Sequence, residues 1–286
     1  MMPVINRGIT MKKTMLAASI LLASTCSLSL STMVNAHNHE NTALQTAVTS
    51  DFRQAKNSAR DQYRHPEQTL NFFDIKPSDT VIELWPGGGW YAEILAPYLA
   101  KEGHYIAGNF DTHPADEKAR NSYRPKVGKK FEAWLKENKA KVGGATTVTF
   151  EPPTYYSMGD ENSADAVLTF RNLHNWAMKG YLEPVFASAY KVLKPGGTFG
   201  IVEHRGEPDM DAKTGYMDQA SVIKLAEKAG FSLVASSEVN ANPKDSKDYP
   251  KGVWTLPPRL ALEDQDKQKY LAIGESDRMT LKFVKK

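Results

Sequence analysis

The stretch that most constrains the fold lies at residues 81–97 and reads VIELWPGGGWYAEILAP. Its apolar start at 81–84 predicts a buried strand, and the residues at 91–100 predict a helix. Three consecutive glycines at 87–89 separate the two elements. Glycine permits the unusual dihedral angles of a tight turn, and its bare backbone lets a ligand approach closely. The amide groups at the start of the helix then face that ligand.

The rest of the chain alternates strand and helix patterns. Further strands are predicted at 104–107, 146–150, 166–170, 198–202, 231–239 and 279–284, and helices at 126–139, 181–193 and 221–229. A helical pattern over 51–73 is interrupted at Pro66, where a helix breaks or restarts. The alternation predicts an α/β fold with a mostly parallel sheet and helices on both faces. In such sheets, ligands bind beyond the carboxyl ends of the strands, where the strand order reverses.

The amino-terminal residues 1–36 have the pattern of a secretory signal peptide. A basic start precedes an apolar run at 15–22, and a small-residue sequence ends at Ala36, the predicted cleavage point. The apolar run is shorter than the ~20 residues that span a bilayer, which disfavours a membrane anchor. We therefore expect a periplasmic or secreted protein, with a disordered tail at 37–50 and one domain at 51–286.

Charge and cysteine content exclude several functions for the exported part. Of the 36 Lys and Arg residues, three lie in residues 1–36 without any acidic residue, which leaves as many basic residues as the 33 acidic ones. A nucleic-acid surface needs a clustered basic excess, so none is predicted. Cys26 is the only cysteine and lies in the predicted signal peptide. No disulfide, thiolate nucleophile or cysteine-based metal site is therefore predicted.

Several motifs, in their order along the chain, resemble those of class I S-adenosylmethionine-dependent methyltransferases. The segment DTVIELWPGGGWYAEILAP is similar to their first motif, with Glu83 as the acid and Gly87 and Gly89 as the second and third glycines. Trp85 stands where the first glycine is expected. Segments similar to the later motifs are GHYIAGNFD at 103–111, SADAVLTFRNLHNW at 163–176, VLKPGGTFGIVEH at 192–204 and AEKAGFSLV at 226–234.

This resemblance spans residues 66–283 and implies both a fold and an activity. The implied fold is Rossmann-like, with a mostly parallel seven-stranded sheet and helices on both faces. The implied activity is transfer of a methyl group from S-adenosylmethionine to a small-molecule acceptor. WPGGGW, FRNLHNW and GVWTLPP look most like segments of an uncharacterised group of exported bacterial predicted methyltransferases.

The resemblance also implies a set of cofactor contacts. The implied residues are Glu83, Trp85, Pro86, Gly87, Gly88, Gly89, Asn109, Asp111 and Asn172. Asn109 and Asp111 compete for the place of the acid that holds the ribose hydroxyls. A carboxylate accepts two hydrogen bonds and favours Asp111, whereas an Asp at this point is equally typical of a turn or a helix cap.

Three residues near predicted strand ends are candidates for the chemistry: His174, Arg171 and His204. Methyl transfer to a hydroxyl or amine is helped by a general base, and histidine has an ordinary pKa near neutrality. The competing interpretation of His174 is a residue that caps the following segment or bonds to backbone. For the charged residues after the fifth strand, scaffolding and substrate binding are equally compatible with the pattern.

Two further alternatives remain open from the sequence. Trp254 and the segment at 256–259 are predicted either as a lid over the acceptor pocket or as a crossover loop packed on the sheet. The alternative function is an exported, non-catalytic binding protein. The departure of Trp85 from the motif favours this alternative, whereas the presence of Glu83, Gly87 and Gly89 opposes it. A nicotinamide-dependent oxidoreductase is disfavoured by the KPGG turn and the terminal strand pair.

Overall fold

A computed structural model describes Met1, Pro3 and residues 42–286. Residues 42–286 belong to one compact unit. The predicted signal peptide, apart from Met1 and Pro3, and residues 37–41 of the predicted tail lie outside the described residues. Within the described part of the chain, we find no helix with the length and apolarity needed to cross a membrane.

One sheet organises the domain. Its strands are β1 (Thr80–Leu84), β2 (His104–Asn109), β3 (Thr146–Thr149), β4 (Ala164–Phe170), β5 (Leu193–Gly206), β6 (Met217–Asp218), β7 (Phe231–Ser237) and β8 (Arg278–Lys285). They lie in the order β3-β2-β1-β4-β5-β8-β7, and β6 pairs with β5. Strands β1 to β5 are parallel, and β8 is antiparallel to both β5 and β7. The expected seven-stranded, mostly parallel sheet is confirmed, and the two-residue β6 is an addition.

Helices connect these strands and cover both faces of the sheet. They are α1 (42–48), α2 (Ala55–Ser58), α3 (Asp61–Arg64), α4 (Pro66–Phe72), α5 (Ala92–Leu99), α6 (Glu117–Arg120), α7 (Tyr123–Glu137), α8 (Lys139–Val142), α9 (Leu173–Ala177), α10 (Leu182–Val192), α11 (Gln219–Lys228) and α12 (Lys267–Ile273). Successive strand residues point to opposite faces, so Val81 packs with α1, α5 and α7 while Ile82 packs with α10 and α11.

The amino-terminal segment differs from the expectation. Residues 42–48 form α1, and Leu44 and Ala47 on one side of this helix are buried in the core. The prediction of a disordered tail is therefore wrong for these residues, because a three-residue spacing of apolar side chains was enough to give a buried face. The helical pattern at 51–73 forms three short helices, and α4 starts at Pro66, as the sequence predicted.

The strand order reverses at β1, which lies between β2 on one side and β4 on the other. The residue after β1 is Trp85 and the residue after β4 is Arg171. Both have left-handed backbone conformations, with φ of 48° and 62° respectively. Each still donates its backbone N–H to the neighbouring strand, Trp85 to Gly108 and Arg171 to Val202. Two adjacent strands thus end in sharp turns at the point where such sheets bind ligands.

Candidate active site

A cavity of about 540 Å³ lies at the carboxyl ends of β1, β4 and β5. Nine of the predicted site residues line it: Glu83, Trp85, Pro86, Gly87, Gly88, Arg171, Asn172, His174 and His204. The other three, Gly89, Asn109 and Asp111, are not among the lining residues. The cavity therefore unites the glycine loop with the residues predicted to carry the chemistry.

The glycine loop presents bare backbone to this cavity. Gly87 has φ of 58°, a conformation that glycine adopts without strain. A Cβ added at Gly88 would meet no atom within 4 Å. Gly89 also has a positive φ, but its Cβ position lies 3.4 Å from the Phe131 ring of α7. Gly87 and Gly88 thus leave room for a ligand, whereas Gly89 is needed for the turn and for packing against α7.

Trp85 takes the left-handed conformation in which the related motif has a glycine. This conformation costs a non-glycine residue about 1–2 kcal/mol. The indole Nε1 donates to the carbonyl of Phe150 at 2.7 Å. The ring centroid lies 5.1 Å from that of Phe110 and 4.9 Å from that of Trp176. The Arg124 guanidinium lies 4.3 Å from the same ring.

These contacts place the Trp85 ring over the ends of β2 and β3. Phe110 directly follows β2, and Phe150 directly follows β3. The Trp85 residue is only 6% exposed, because Phe110, Trp176 and Arg124 enclose its ring. The indole is therefore a wall of the cavity, with no uncovered ring face on which a planar ligand could stack.

The two candidates for ribose binding lie apart from the cavity. Asn109 is buried under α7 and donates to the Gly128 carbonyl at 3.2 Å and to Glu132 at 3.3 Å. The Asp111 carboxylate accepts the backbone N–H of His113 at 2.9 Å. The contacts of Asp111 match the turn role that was its alternative interpretation. The sequence pattern did not distinguish the two roles, because both place an Asp just after a strand.

Glu83 lies at the floor of the cavity and is 3% exposed. Tyr105 donates its hydroxyl to the carboxylate at 2.7 Å. Burial raises the pKa of Glu83 to about 7, although the Tyr105 hydrogen bond and the charge of Arg171 act in the opposite direction. A carboxyl group with such a pKa changes charge near neutral pH.

The loop after β4 is tied to the end of β1. Asn172 donates its side-chain amide to the carbonyl of Leu84 at 2.8 Å. This bond holds the two central loops together, so Asn172 both lines the cavity and braces its rim. The neighbouring Arg171 side chain makes no hydrogen bond or ion pair with any residue in the described part of the chain. Burial lowers the pKa of Arg171 to about 10, with a further contribution from the charge of Arg278.

His174 pairs with the buried carboxylate of Glu203, one of the charged residues after the fifth strand for which the sequence left scaffolding and substrate binding open. Its Nδ1 lies 3.2 Å from Oε1 of Glu203, which is fully buried. The other oxygen of Glu203 accepts the backbone N–H of Leu173 at 2.6 Å, at the start of α9. A carboxylate accepts from Nδ1–H, so His174 keeps its Nε2 as a hydrogen-bond acceptor. In the structure Asn175 Nδ2 lies 3.0 Å from this atom.

His204 lies beside this pair, with its ring centroid 5.6 Å from that of His174. Burial lowers the pKa of His204, and the nearby His174 adds to this effect. The nitrogen and oxygen atoms of His174, Glu203 and His204 lie within 4.8 Å of one another, a spacing compatible with a metal ion. Both oxygens of Glu203 already accept backbone N–H groups, from Leu173 and from His204 itself. The His204 ring instead contacts the Ser276 hydroxyl, with Nδ1 and Oγ 2.5 Å apart. The side-chain hydrogen bond within the group therefore joins only His174 and Glu203.

Other walls of the cavity come from segments distant in sequence. Val253, Trp254, Leu256, Pro257, Pro258 and Arg259 form one side. The Trp254 ring lies 5.8 Å from His174. Arg64, Trp90, Tyr91 and Arg278 form another side, and sequence analysis missed all four. Trp90 and Tyr91 lie within the glycine motif but had no role assigned from the sequence. No local motif marks Arg64 and Arg278, because α3 and β8 meet only in the folded domain.

Solved structures of low sequence identity share this architecture. The [4+2]-cyclase SpnF aligns with a TM-score of 0.53 at 15% identity, over 88% of this chain and 94% of its own. A candidate sarcosine dimethylglycine methyltransferase from Galdieria sulphuraria aligns with a TM-score of 0.50 at 15% identity, over 80% and 86%. An S-adenosylmethionine-dependent methyltransferase from Aquifex aeolicus aligns with a TM-score of 0.47 at 20% identity, over 64% and 87%. No protein-family model matches the sequence, and no curated protein matches it.

The chain therefore has a Rossmann-like class I methyltransferase fold, as its motifs implied. The first two of these structures carry different activities in their names, a cyclase and a methyltransferase. Because one fold hosts different reactions, the activity of this protein must be argued from its cavity.

Proposed function

We propose that this protein is an S-adenosylmethionine-dependent methyltransferase that acts on a small-molecule acceptor. The observation that carries the proposal is that His174, which pairs with the buried Glu203, lines the same cavity as Gly87 and Gly88. A base and a bare glycine loop in one cavity can bring an acceptor proton and a cofactor together.

The glycine loop fits the cofactor, while the region over β2 does not supply the expected ribose partner. Gly87 and Gly88 leave the backbone uncovered, and a Cβ at Gly88 would project into open space. These two residues would hold the cofactor, with Asn172 at the rim and Trp85 as a side wall. When bound, S-adenosylmethionine supplies a methyl group on a sulfonium and leaves as S-adenosylhomocysteine.

The chain's own residues handle the proton of the acceptor. The acceptor hydroxyl or amine takes the place of the Asn175 amide at His174 Nε2, which accepts its proton as the acceptor atom bonds to the methyl carbon. Glu203 orients the imidazole through Nδ1 and stabilises the imidazolium that forms. Val253, Trp254 and Leu256 line one side of the cavity, where a bound acceptor would displace water from the reacting atoms.

Cofactor binding is tested by calorimetry of the full chain with S-adenosylmethionine and S-adenosylhomocysteine. We expect both to bind, and we expect Gly87→Val to weaken binding at least about tenfold because the branched side chain enters the loop. Gly180→Val is the matched control, since Gly180 also has a positive φ, of 72°, and open space at its Cβ, but lies outside the cavity. Equal losses in the two variants would contradict a cofactor site at the loop.

The base is tested with labelled S-adenosylmethionine and a panel of small hydroxyl and amine acceptors. We expect His174→Ala to lower the transfer rate by about 10²–10⁴-fold, the usual contribution of a general base. Cofactor affinity should stay within about twofold, because the proposed role of His174 concerns the acceptor proton. A transfer rate that is unchanged in His174→Ala would assign the proton transfer to another group.

A non-catalytic ligand-binding protein is the second candidate, and the placement of Trp85 favours it. The Trp85 ring fills the edge over β2 and β3, where a ribose partner was expected. Folded protein that gives neither heat nor a thermal shift with both forms of the cofactor would establish this candidate over the first.

We also propose that the protein is exported, like the predicted methyltransferases that its motifs resemble. The support is the basic and apolar pattern that ends at Ala36. Amino-terminal sequencing of protein from the periplasm or medium is expected to begin at His37. A cytoplasmic protein that retains residues 1–36 would overturn the export proposal and leave the activity untouched.

A further inference from the structure

One wall of the cavity carries far more positive than negative charge. Arg60, Arg64, Arg171 and Arg278 all line it. The carboxylate of Glu275 is the one acid that pairs with this group in the described part of the chain, and it serves three of the arginines. Although burial alone would raise the pKa of Glu275, the charges of Arg278 and Arg64 hold it well below its ordinary value.

Arg64 is the most buried of these cations, at 3% exposure. Its Nε donates to Glu275 at 3.2 Å, but Nη1 and Nη2 have no hydrogen-bond partner among the described residues. The guanidinium lies 4.6 Å from the centroid of the Trp90 ring, which compensates part of the lost hydration. Burial lowers the pKa of Arg64 well below its ordinary value, and the charge of Arg171 lowers it further. Two buried N–H-bearing atoms of a charged group are thus left without an acceptor.

Arg171 and Arg278 add to this excess. Arg278 is 2% exposed and donates to the carbonyl of Tyr63 and to Glu275, while its Nε has no hydrogen-bond partner within residues 42–286. Arg171 has no ion pair in the described part of the chain, and its backbone is in the left-handed region. Unpaired charges in a low-dielectric site are costly, so such an arrangement is typical of a site that pairs them with a ligand.

Arg64, Arg171 and Arg278 also share a small recess beside the main cavity. This recess has a volume of about 10 Å³ and is lined by Arg64, Arg171 and Arg278 together with Tyr91 and Phe170. No residue of the glycine loop lines it. The recess has room for little more than one water molecule, but the same three arginines also line the main cavity and are therefore open to a ligand held there.

We propose that Arg64, Arg171 and Arg278 bind the oxyanion group, a carboxylate or a phosphate, of a small-molecule substrate. The inference rests on the proposed function in so far as this substrate is the methyl acceptor. The planar guanidinium fork suits oxyanions, because two parallel N–H groups reach two oxygens. An acceptor anchored in this way would reach from the arginines towards His174.

The binding step is tested by calorimetry of the full chain with inorganic phosphate and with acetate, at ionic strength matched by sodium chloride. We expect saturable binding of at least one of these anions. Arg171→Gln should weaken it at least about tenfold, because a charged hydrogen-bond donor is lost from a buried site. Arg171→Gln breaks no hydrogen bond within the described protein, so its thermal midpoint without ligand should equal or exceed that of the parent.

Arg205→Gln is the matched control. Arg205 pairs with Glu238 and Asp277 and does not line the cavity. Its substitution should lower the thermal midpoint and leave anion affinity unchanged. Arg171→Lys keeps the positive charge but loses the two parallel N–H groups of the guanidinium, so it should give an intermediate anion affinity. This variant replaces Arg171→Gln in the test if Arg171→Gln does not fold.

The outcomes separate this inference from the proposed function. Anion binding without cofactor binding would support oxyanion binding by the arginines and overturn the methyltransferase. Cofactor binding with no anion binding, or with equal anion affinity in parent and Arg171→Gln, would overturn oxyanion binding by the arginines alone. Competition between phosphate and S-adenosylhomocysteine would show that the arginines bind the carboxylate of the cofactor. That result would overturn the proposal that they bind the acceptor.

Discussion

The carboxyl edge of the sheet has two unlike sides. Over β2 and β3, the closed side consists of Trp85, Phe110 and Arg124 packed together. Over β4 and β5, the open side contains the cavity with His174 and Arg171. Both sides start from the carboxyl end of β1. The left-handed backbone conformation of Trp85, the residue after β1, determines that its ring packs on the closed side. A tryptophan in place of a glycine changes what this edge of the sheet can bind.

The largest expected effect is on stability, from removal of the indole that fills the closed side. Trp85→Ala should lower the free energy of unfolding by about 3–5 kcal/mol, as for other large aromatic side chains in cores. Trp85→Gly should be about 1 kcal/mol more stable than Trp85→Ala, because glycine accepts the left-handed backbone. Urea denaturation measures both. At positions with an ordinary backbone conformation, an alanine variant is more stable than a glycine variant. The reversed order at residue 85 would therefore show the cost of its left-handed backbone conformation.

The control is Trp254→Ala on the open side, where the ring is only half-buried and the expected loss is about 1 kcal/mol. The contrast between the two sides would fail if Trp85→Gly bound S-adenosylmethionine more tightly than the parent. The closed side would then be a blocked part of the cofactor site.

A smaller effect concerns the pH dependence of stability at the floor of the open side. The folded pKa of Glu83 is raised to about 7 from 4.5, so the folded protein binds the proton more tightly than the unfolded chain. This contribution is fully present below pH about 4.5 and is lost as the pH rises to about 7, a change of about 3 kcal/mol. The Glu83→Gln variant should lack this contribution. The difference in free energy of unfolding between the parent and this variant, measured by urea denaturation, should therefore fall as the pH rises from about 4.5 to about 7.

Tyr105→Phe provides the companion measurement for Glu83. The Tyr105 hydrogen bond lowers the pKa of Glu83, so its removal should move the window to higher pH. Parallel stability curves for the parent and Glu83→Gln would show that Glu83 is hydrated in the folded protein.

The smallest effect is expected from Asp111, at the end of β2 on the closed side. Asp111→Asn should change cofactor affinity by less than about twofold and stability by less than about 0.5 kcal/mol, because its carboxylate accepts only a local turn hydrogen bond. Calorimetry and urea denaturation measure the two quantities. A tenfold loss of affinity would place the ribose on the closed side, against the contacts of Trp85.

Much of the fold was predictable because its signals are local. The apolar run at 81–84 predicted β1 to within one residue, and the predicted helix at 91–100 contains α5. β5 is longer than predicted, Leu193–Gly206 against 198–202, because pairing with β4 and β8 extends it beyond its apolar centre. α1 was missed since its short polar sequence becomes a helix only through burial of Leu44.

The site was predictable only in part. Motif residues such as Gly87 and His174 line the cavity, because strand ends in a parallel sheet meet at one edge. Arg64 and Arg278 were not predicted, since they lie 214 positions apart in sequence and meet through Glu275. The same limit applied to Asp111, whose two possible roles differ only in which neighbour its carboxylate reaches.

Periodicity and motif order were therefore sufficient for the class of fold, the glycine loop and the strand ends that face the cavity. These properties depend on neighbours within a few residues, which the chain carries in its own order. The enclosure of the Trp85 ring, the Glu203 partner of His174 and the cluster of arginines were decided by tertiary packing. Each depends on contacts between distant segments, and burial then determines which side chain is a wall, a base or an unpaired charge.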